Sequence, residues 1–282
     1  MTELQQISPA PARWSPAVSI GLRSVAVLVA ASVAGLLLFG WPLLVHTAPD
    51  PTTAQAQAPF AFVALLPILV LLAVAQVVEG GLDAKALALL GVLTAGNAAL
   101  RPLSAGAAGI ELVFFLLILA GRVFGPGFGF LLGCLSLFAS ALLTAGVGPW
   151  LPFQMLAAGW IGLGAGLLPR RLFGRPVRGW PEMALLCAYG VLAAYGFGLL
   201  MNLSYWPFAV SAGFGDNVGL AYVAGAPLIE NLHRFVVFTL VTSTAGWDTG
   251  RAITTVVAIV VLGPAVLAVL RRAARRARFA DR

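Results

Sequence analysis

The stretch Gly109–Pro169 constrains the fold more than any other part of the chain. It holds three closely spaced apolar segments, GIELVFFLLILAGRVF, GPGFGFLLGCLSLFASALLTAG and VGPWLPFQMLAAGWIGLGAGLLP, punctuated by Gly and Pro. Runs this apolar suit lipid, where each backbone polar group must be satisfied within its own segment, and that condition selects helices. The rest of the chain agrees. Of its 282 residues, 60% are hydrophobic and 10% charged, against roughly a quarter charged in a soluble domain. The mean hydropathy is +0.97. The class is an all-α integral membrane protein.

Apolar spans are expected near residues 24–45, 60–78, 84–101, 110–122, 126–145, 153–169, 182–204 and 252–270, with a weaker ninth stretch at 232–246. Orientation follows from the basic residues, which concentrate on the cytoplasmic side. With the N-terminus inside and eight crossings, Arg101, Arg234 and Arg251 alone among the 17 Lys and Arg fall outside. Both termini are therefore expected in the cytoplasm. The run before the first loop is too long for the apolar core of a secretory signal, so a retained helix is expected. The uninterrupted apolar part of the ninth stretch, Phe235–Ala245, is too short to span alone. It is expected as an interfacial or re-entrant helix within a long outer loop, 205–250. The organisation predicted is a two-helix extension (1–82), a six-helix body (83–271) and a basic cytoplasmic tail (272–282).

Small residues recur every four positions at Gly125, Gly129 and Gly133, and again at Ala158, Gly162 and Gly166. Such rows let helix backbones approach closely. They serve either packing within the chain or a docking surface for another subunit. The Ala84, Ala88, Ala95 and Ala99 spacing reads either as the ordinary alanine content of a membrane helix or as a coupling face.

Polar and aromatic residues gather near the expected outer ends. Asn97 and Arg101 share a helix face, and Glu111 begins the next span at that level. An Arg101–Glu111 pair is either a structural bridge or a ligand contact. Trp150, Phe153 and Gln154 open the sixth span beside Pro149 and Pro152, as a membrane-interface anchor or as a stiff pocket wall. Trp160 lies two turns deeper, as pocket floor or packing. Asn202, Tyr205, Trp206 and Phe208 close the seventh span. Asp248 and Arg251 are expected to cap and charge-pair at a helix start. A concave aromatic site with few polar groups is the usual form of a ligand pocket.

No P-loop pattern occurs, and Lys85 is the only lysine, so this chain does not hydrolyse ATP by that device. No His/Cys/carboxylate spacing suits a metal, no cofactor is expected, and Cys134 and Cys187 read as small packing residues. The positive charge sits in loops beside spans and does not point to nucleic acid.

Residues 84–270 resemble the substrate-binding S components of energy-coupling factor (ECF) vitamin transporters. The likeness is carried by ALALLGVLTAGNAALR, GRVFGPGFGFLLG, GVGPWLPFQMLAAGWIGLGAGLLP and AGWDTGRAITTVVAIVVLGPAVLAVLRR, most specifically by GPWLPFQ. Within the family the chain is most similar to an actinobacterial group related to cobalamin-type S components. The two N-terminal spans and the ninth stretch lie outside the family's six-helix plan. The resemblance implies a non-enzymatic subunit of the bacterial cytoplasmic membrane that binds a micronutrient from outside. It also implies docking through Ala84, Ala88 and Ala95 on a transmembrane coupling protein, with two cytosolic ATPases supplying the energy. The pocket expected is lined by Asn97, Arg101, Glu111, Trp150, Phe153, Gln154, Trp160, Asn202 and Trp206. Two other readings remain: a membrane enzyme acting on lipid or prenyl substrates, should Arg101, Glu111, Arg234 and Asp248 converge, and a non-catalytic assembly protein.

Overall fold

The computed structural model describes residues 16–18, 20–44, 68, 75, 84–104, 109–148, 150–209, 220–223 and 225–278 of the chain. The helices are α1 (Leu22–Phe39), α2 (Trp41–Leu44), α3 (Ala84–Ser104), α4 (Val113–Phe124), α5 (Pro126–Leu143), α6 (Leu151–Leu167), α7 (Trp180–Ala209), α8 (Leu228–Thr239) and α9 (Thr249–Arg278). A two-stranded antiparallel hairpin, β1 (Arg171–Leu172) and β2 (Arg175–Pro176), sits between α6 and α7. Among the described residues, four helical runs are long and apolar enough to cross a membrane: Leu22–Phe39, Pro126–Leu143, Trp180–Pro207 and Leu228–Ala277. The protein is an integral membrane protein. The expected span at 60–78 lies outside the described residues, apart from Ile68 and Ala75, both helical.

α4 is the centre of the molecule. All of its residues except Leu116 are buried, and it packs on α3, α5, α6, α7 and α9. At about 18 Å it is shorter than a hydrocarbon layer of about 30 Å. Neighbouring helices surround it, so its length has no lipid boundary to match. Gly125 alone separates α4 from α5. It has φ 101°, a conformation that L side chains rarely adopt, and Pro126 opens α5 where its missing N–H costs nothing.

The small-residue rows meet each other. A Cβ on Gly129 would run into the Gly162 carbonyl, and one on Gly162 into the Gly129 carbonyl. Gly133 lies equally close to the Ala158 carbonyl, Gly166 to the Gly125–Pro126 peptide, and Gly121 to Gly162. These rows let the α4, α5 and α6 backbones touch, and that decides between the two readings of the glycines in favour of packing within the chain.

The N-terminal segment is tied to this core. The Ala17 N–H bonds to the Phe124 carbonyl at 2.8 Å, and Val18 is buried beside Gly127. Along α1, Ser32 accepts from the Trp160 indole at 2.8 Å. Phe39 meets the Phe153 ring edge-on at 4.7 Å.

The ninth stretch corrects the sequence expectation. It is not a separate re-entrant element in a loop spanning 205–250. α7 continues to Ala209, and α8 runs through a π-helical segment, Leu240–Asp248, straight into α9, so Leu228–Ala277 is one helical run. The polar LVTSTAGWD segment reads as a break by composition. The chain keeps its winding there through the wider π turn. Threonine hydroxyls bond back to carbonyls along it, Thr242 to Phe238 at 2.7 Å and Thr249 to Thr244 at 2.6 Å. Asp248 is thus within a helix and caps none. Arg251 and Arg271 are 20 residues apart on α9, about 30 Å, one bilayer thickness.

Candidate functional site

Successive helices of the body alternate in direction, as the α5–α6 contacts show, and α9 runs against α7. Two opposite ends result. One is basic and gathers Arg122, Arg170, Arg171, Arg178 and Arg271. The other holds the ends of α3 and α7 and the starts of α4 and α6, and it carries the polar residues predicted for the site.

At that end α3 and α5 share a neutral polar seam. Asn97 is fully buried, and its Nδ2 donates to Ser136 Oγ at 3.0 Å. Ser136 Oγ in turn donates to the Gly133 carbonyl at 3.3 Å. Asn97 Oδ1, Thr94 Oγ1 and Ser140 Oγ are buried with no hydrogen-bond partner. The spacings of three and four put Thr94 with Asn97, and Ser136 with Ser140, on single helix faces. A buried polar atom left unpaired costs about 1–3 kcal/mol, so three together mark a place where a polar guest gains most. Asn202 on α7 offers another buried, unpartnered donor, Nδ2.

The charged residues do not pair as expected from the sequence. Arg101 donates to Gln154 Oε1 at 2.8 Å, tying α3 to the start of α6. Glu111 instead accepts from Arg251 Nε at 2.6 Å. The reason is tertiary: α4 packs on α9, which brings Arg251 to the residue just ahead of α4. Arg251 also bonds Asp248 at 2.9 Å, and Ser243 donates to Asp248 at 2.8 Å. The Arg251 guanidinium lies 5.5 Å from the Phe114 ring centre and 5.1 Å from that of Phe197, a cation–π arrangement that helps a buried charge. Gly198 leaves the room that the Asp248 carboxylate occupies. Arg234 stands apart, paired with Glu230 one turn away on α8. Both acids beside Arg251 are thus engaged in ion pairs, and no group of metal-ligating side chains occurs among the described residues.

The predicted aromatic residues separate. Trp150 is half exposed, with its indole bonded to the Gly146 carbonyl at 3.3 Å. Phe153 and Trp160 pack on α1 through Phe39 and Ser32. Trp206 is fully buried in a second cluster with Tyr222 and Phe235, its indole bonded to the Leu220 carbonyl at 2.8 Å. Of the expected lining, then, Arg101 with Gln154 is joined directly, and Trp206 belongs to a different cluster.

The expected alanine face is open. Ala84, Ala88 and Ala95 are exposed on α3, as are Gly91 and Gly96, where a Cβ would meet nothing. A groove of about 470 Å³ between α3 and α9, with Lys85, Arg272 and Arg276 along it, adjoins this face.

Sequence reasoning missed the core of the basic end. Arg122, only 2% exposed, bonds Glu182 at 2.8 Å and the Leu168 and Pro169 carbonyls at 2.8 and 3.1 Å. Arg271 joins the same carboxylate. A charge inside an apolar run is the available signal, since it is kept there only with a partner.

Comparison with protein families matches residues 85–262 to the model of the ECF transporter, substrate-specific component. The chain belongs to that family. It is a substrate-binding membrane subunit, an S component, of an ECF importer, and the family's members are transport subunits and not enzymes. Comparison with curated proteins returned no match, and comparison with solved structures returned none. The family match begins at the second residue of α3, so α1 and α2, which pack onto α6, α7 and α8, lie outside the matched residues.

Proposed function

We propose that this S component captures a vitamin or related micronutrient outside the cell, with cobalamin the first candidate, and hands it inward. The polar end opposite the arginine-rich end faces outward under the positive-inside rule. The observation that carries the reading is the set of buried, unpartnered atoms Asn97 Oδ1, Thr94 Oγ1 and Ser140 Oγ at that end of a chain in the substrate-specific family. Neutral donors and acceptors suit amide and hydroxyl groups of a ligand better than a fixed charge. Asn97, Arg101, Gln154 and Asn202 are the residues we assign to it, with Trp150 at the mouth.

The exposed Ala84, Ala88, Gly91 and Ala95 face supports docking on a transmembrane coupling protein, since small residues let a partner helix approach closely. Two cytosolic ATPases complete the importer and both ends of this chain lie in the cytoplasm. Mass spectrometry of ligand co-purified with the protein identifies the cargo. Asn97→Leu is expected to cut ligand retention at least tenfold, the equivalent of about 1.4 kcal/mol for one lost hydrogen bond. Equal retention by Asn97→Leu, Ser140→Ala and wild type removes the seam from the site.

A further inference from the structure

The basic end encloses a cavity of about 520 Å³. Glu182 lies in its wall, and Arg122 and Arg271 spend their charge on that one carboxylate. Arg170, Arg171, Arg178 and Arg275 complete the ring. Six guanidinium groups against one carboxylate leave a formal surplus of five positive charges around one hollow. The Arg171, Arg178 and Arg275 guanidinium groups belong to exposed residues and make no side-chain hydrogen bond or ion pair among the described residues. Like charges held this close repel, and an anion in the hollow relieves that repulsion. Guanidinium groups bind phosphate oxygens in pairs, and Arg prefers such partners.

A second observation says where the anion comes from. The hairpin that supplies Arg171 and Pro176 to the cavity turns through Phe173 and Gly174, both with left-handed backbone, φ 51° and 78°. This two-residue turn ordinarily takes Asn or Gly. Here it carries a phenylalanine that is fully exposed, in a conformation that costs a β-carbon residue on the order of 1 kcal/mol. Leu172 beside it and Trp180 at the start of α7 are also exposed. In water this tip serves nothing. At the edge of a bilayer, exposed aromatic groups enter the headgroup layer, and the hairpin then holds the arginine cavity at phosphate depth.

We infer that the cavity ringed by Arg171, Arg178 and Arg275 binds the phosphate of an anionic phospholipid headgroup, with Phe173 inserted beside it. The site anchors the arginine-rich end independently of the substrate site and of α3.

The test uses the full-length protein in nanodiscs of phosphatidylcholine containing a minor fraction of phosphatidylglycerol, with retained lipid counted by native mass spectrometry after extraction. Wild type is expected to retain phosphatidylglycerol selectively. Arg171→Gln/Arg178→Gln/Arg275→Gln is expected to lose that retention by about fivefold per arginine, on the order of a hundredfold in all. Arg272→Gln/Arg276→Gln removes charge from the adjacent groove and is expected to retain the lipid. Phe173→Ser is expected to weaken retention with every arginine present. Should the triple variant fail to fold, Arg178→Gln alone is read for its fivefold share. Equal retention of phosphatidylcholine, or equal loss in the control pair, overturns the proposal. Saturation by inorganic phosphate with no retained lipid assigns the site to a soluble anion and overturns the lipid source. Unchanged lipid retention in the triple variant with lost coupling-subunit assembly assigns the arginines to a protein partner, and also overturns it.

Discussion

Replacing Glu182 by Gln isolates the energetics of the buried charge at the basic end. The carboxylate is 4% exposed and holds Arg122, 2% exposed, at 2.8 Å. In Glu182→Gln the Arg122 guanidinium keeps the Leu168 and Pro169 carbonyls and gains only a neutral amide oxygen in place of the carboxylate. Neutral acceptors do not offset a desolvated charge. Breaking a buried pair from one side costs about 3–5 kcal/mol, and the retained carbonyls place this case at the lower end. For a domain of this size about 3 kcal/mol lowers the apparent Tm by roughly 10 °C. Arg122→Met strands less, because Glu182 keeps Arg271, which is 37% exposed and shares its charge with water. About 2 kcal/mol is expected there. The double variant Arg122→Met/Glu182→Gln removes both desolvated charges and is expected to recover most of the loss, with a coupling of at least about 2 kcal/mol in the cycle. Thermal unfolding in one detergent, followed by intrinsic fluorescence, reads all four proteins. Additive effects, or a Glu182→Gln protein that melts with wild type, would refute the assignment of Arg122–Glu182 as a dependent buried pair.

Three further outcomes follow from close contacts. Gly162→Leu is expected to abolish monodisperse protein on fluorescence-detected size exclusion, because its side chain would occupy the Gly129 carbonyl, whereas Gly96→Leu, which meets nothing, leaves the profile unchanged; equal profiles would rule out the α5–α6 contact. Gly198→Ala displaces the Asp248 carboxylate from its bonds to Ser243 and Arg251 and is expected to cost about 2 kcal/mol, with Ser243→Ala costing about 1 kcal/mol; a Gly198→Ala melting curve superimposed on wild type contradicts this. Ala88→Trp on the exposed α3 face is expected to leave melting and ligand retention intact and to eliminate co-purification of the coupling subunit; persistent assembly argues that another face docks.

Much of the architecture was legible from hydropathy. The positions of α1, α3, α5, α6 and α7 follow from apolar runs bounded by Gly, Pro and Arg, because lipid leaves the backbone no alternative to helices. The π segment was not legible. Thr242, Ser243, Thr244 and Gly246 carry the composition of a loop, and only bonds to neighbouring turns keep that stretch helical. Of the candidate site, Asn97 stood out as a polar residue in an apolar helix, and its Oδ1 is buried without a partner. Trp160 and Trp206 were conspicuous by size alone, and size does not say which neighbour a ring meets.

Composition, charge asymmetry and small-residue spacing therefore determined by themselves that this chain is a helical membrane protein with one arginine-rich end. Those features act locally, along single helices. Tertiary structure alone decided that Glu111 bonds Arg251 and not Arg101, that the glycine rows face each other, and that Arg122 and Arg271 share Glu182. Each of these joins residues distant in sequence, and their pairing depends on how helices stack around α4, which no local pattern encodes.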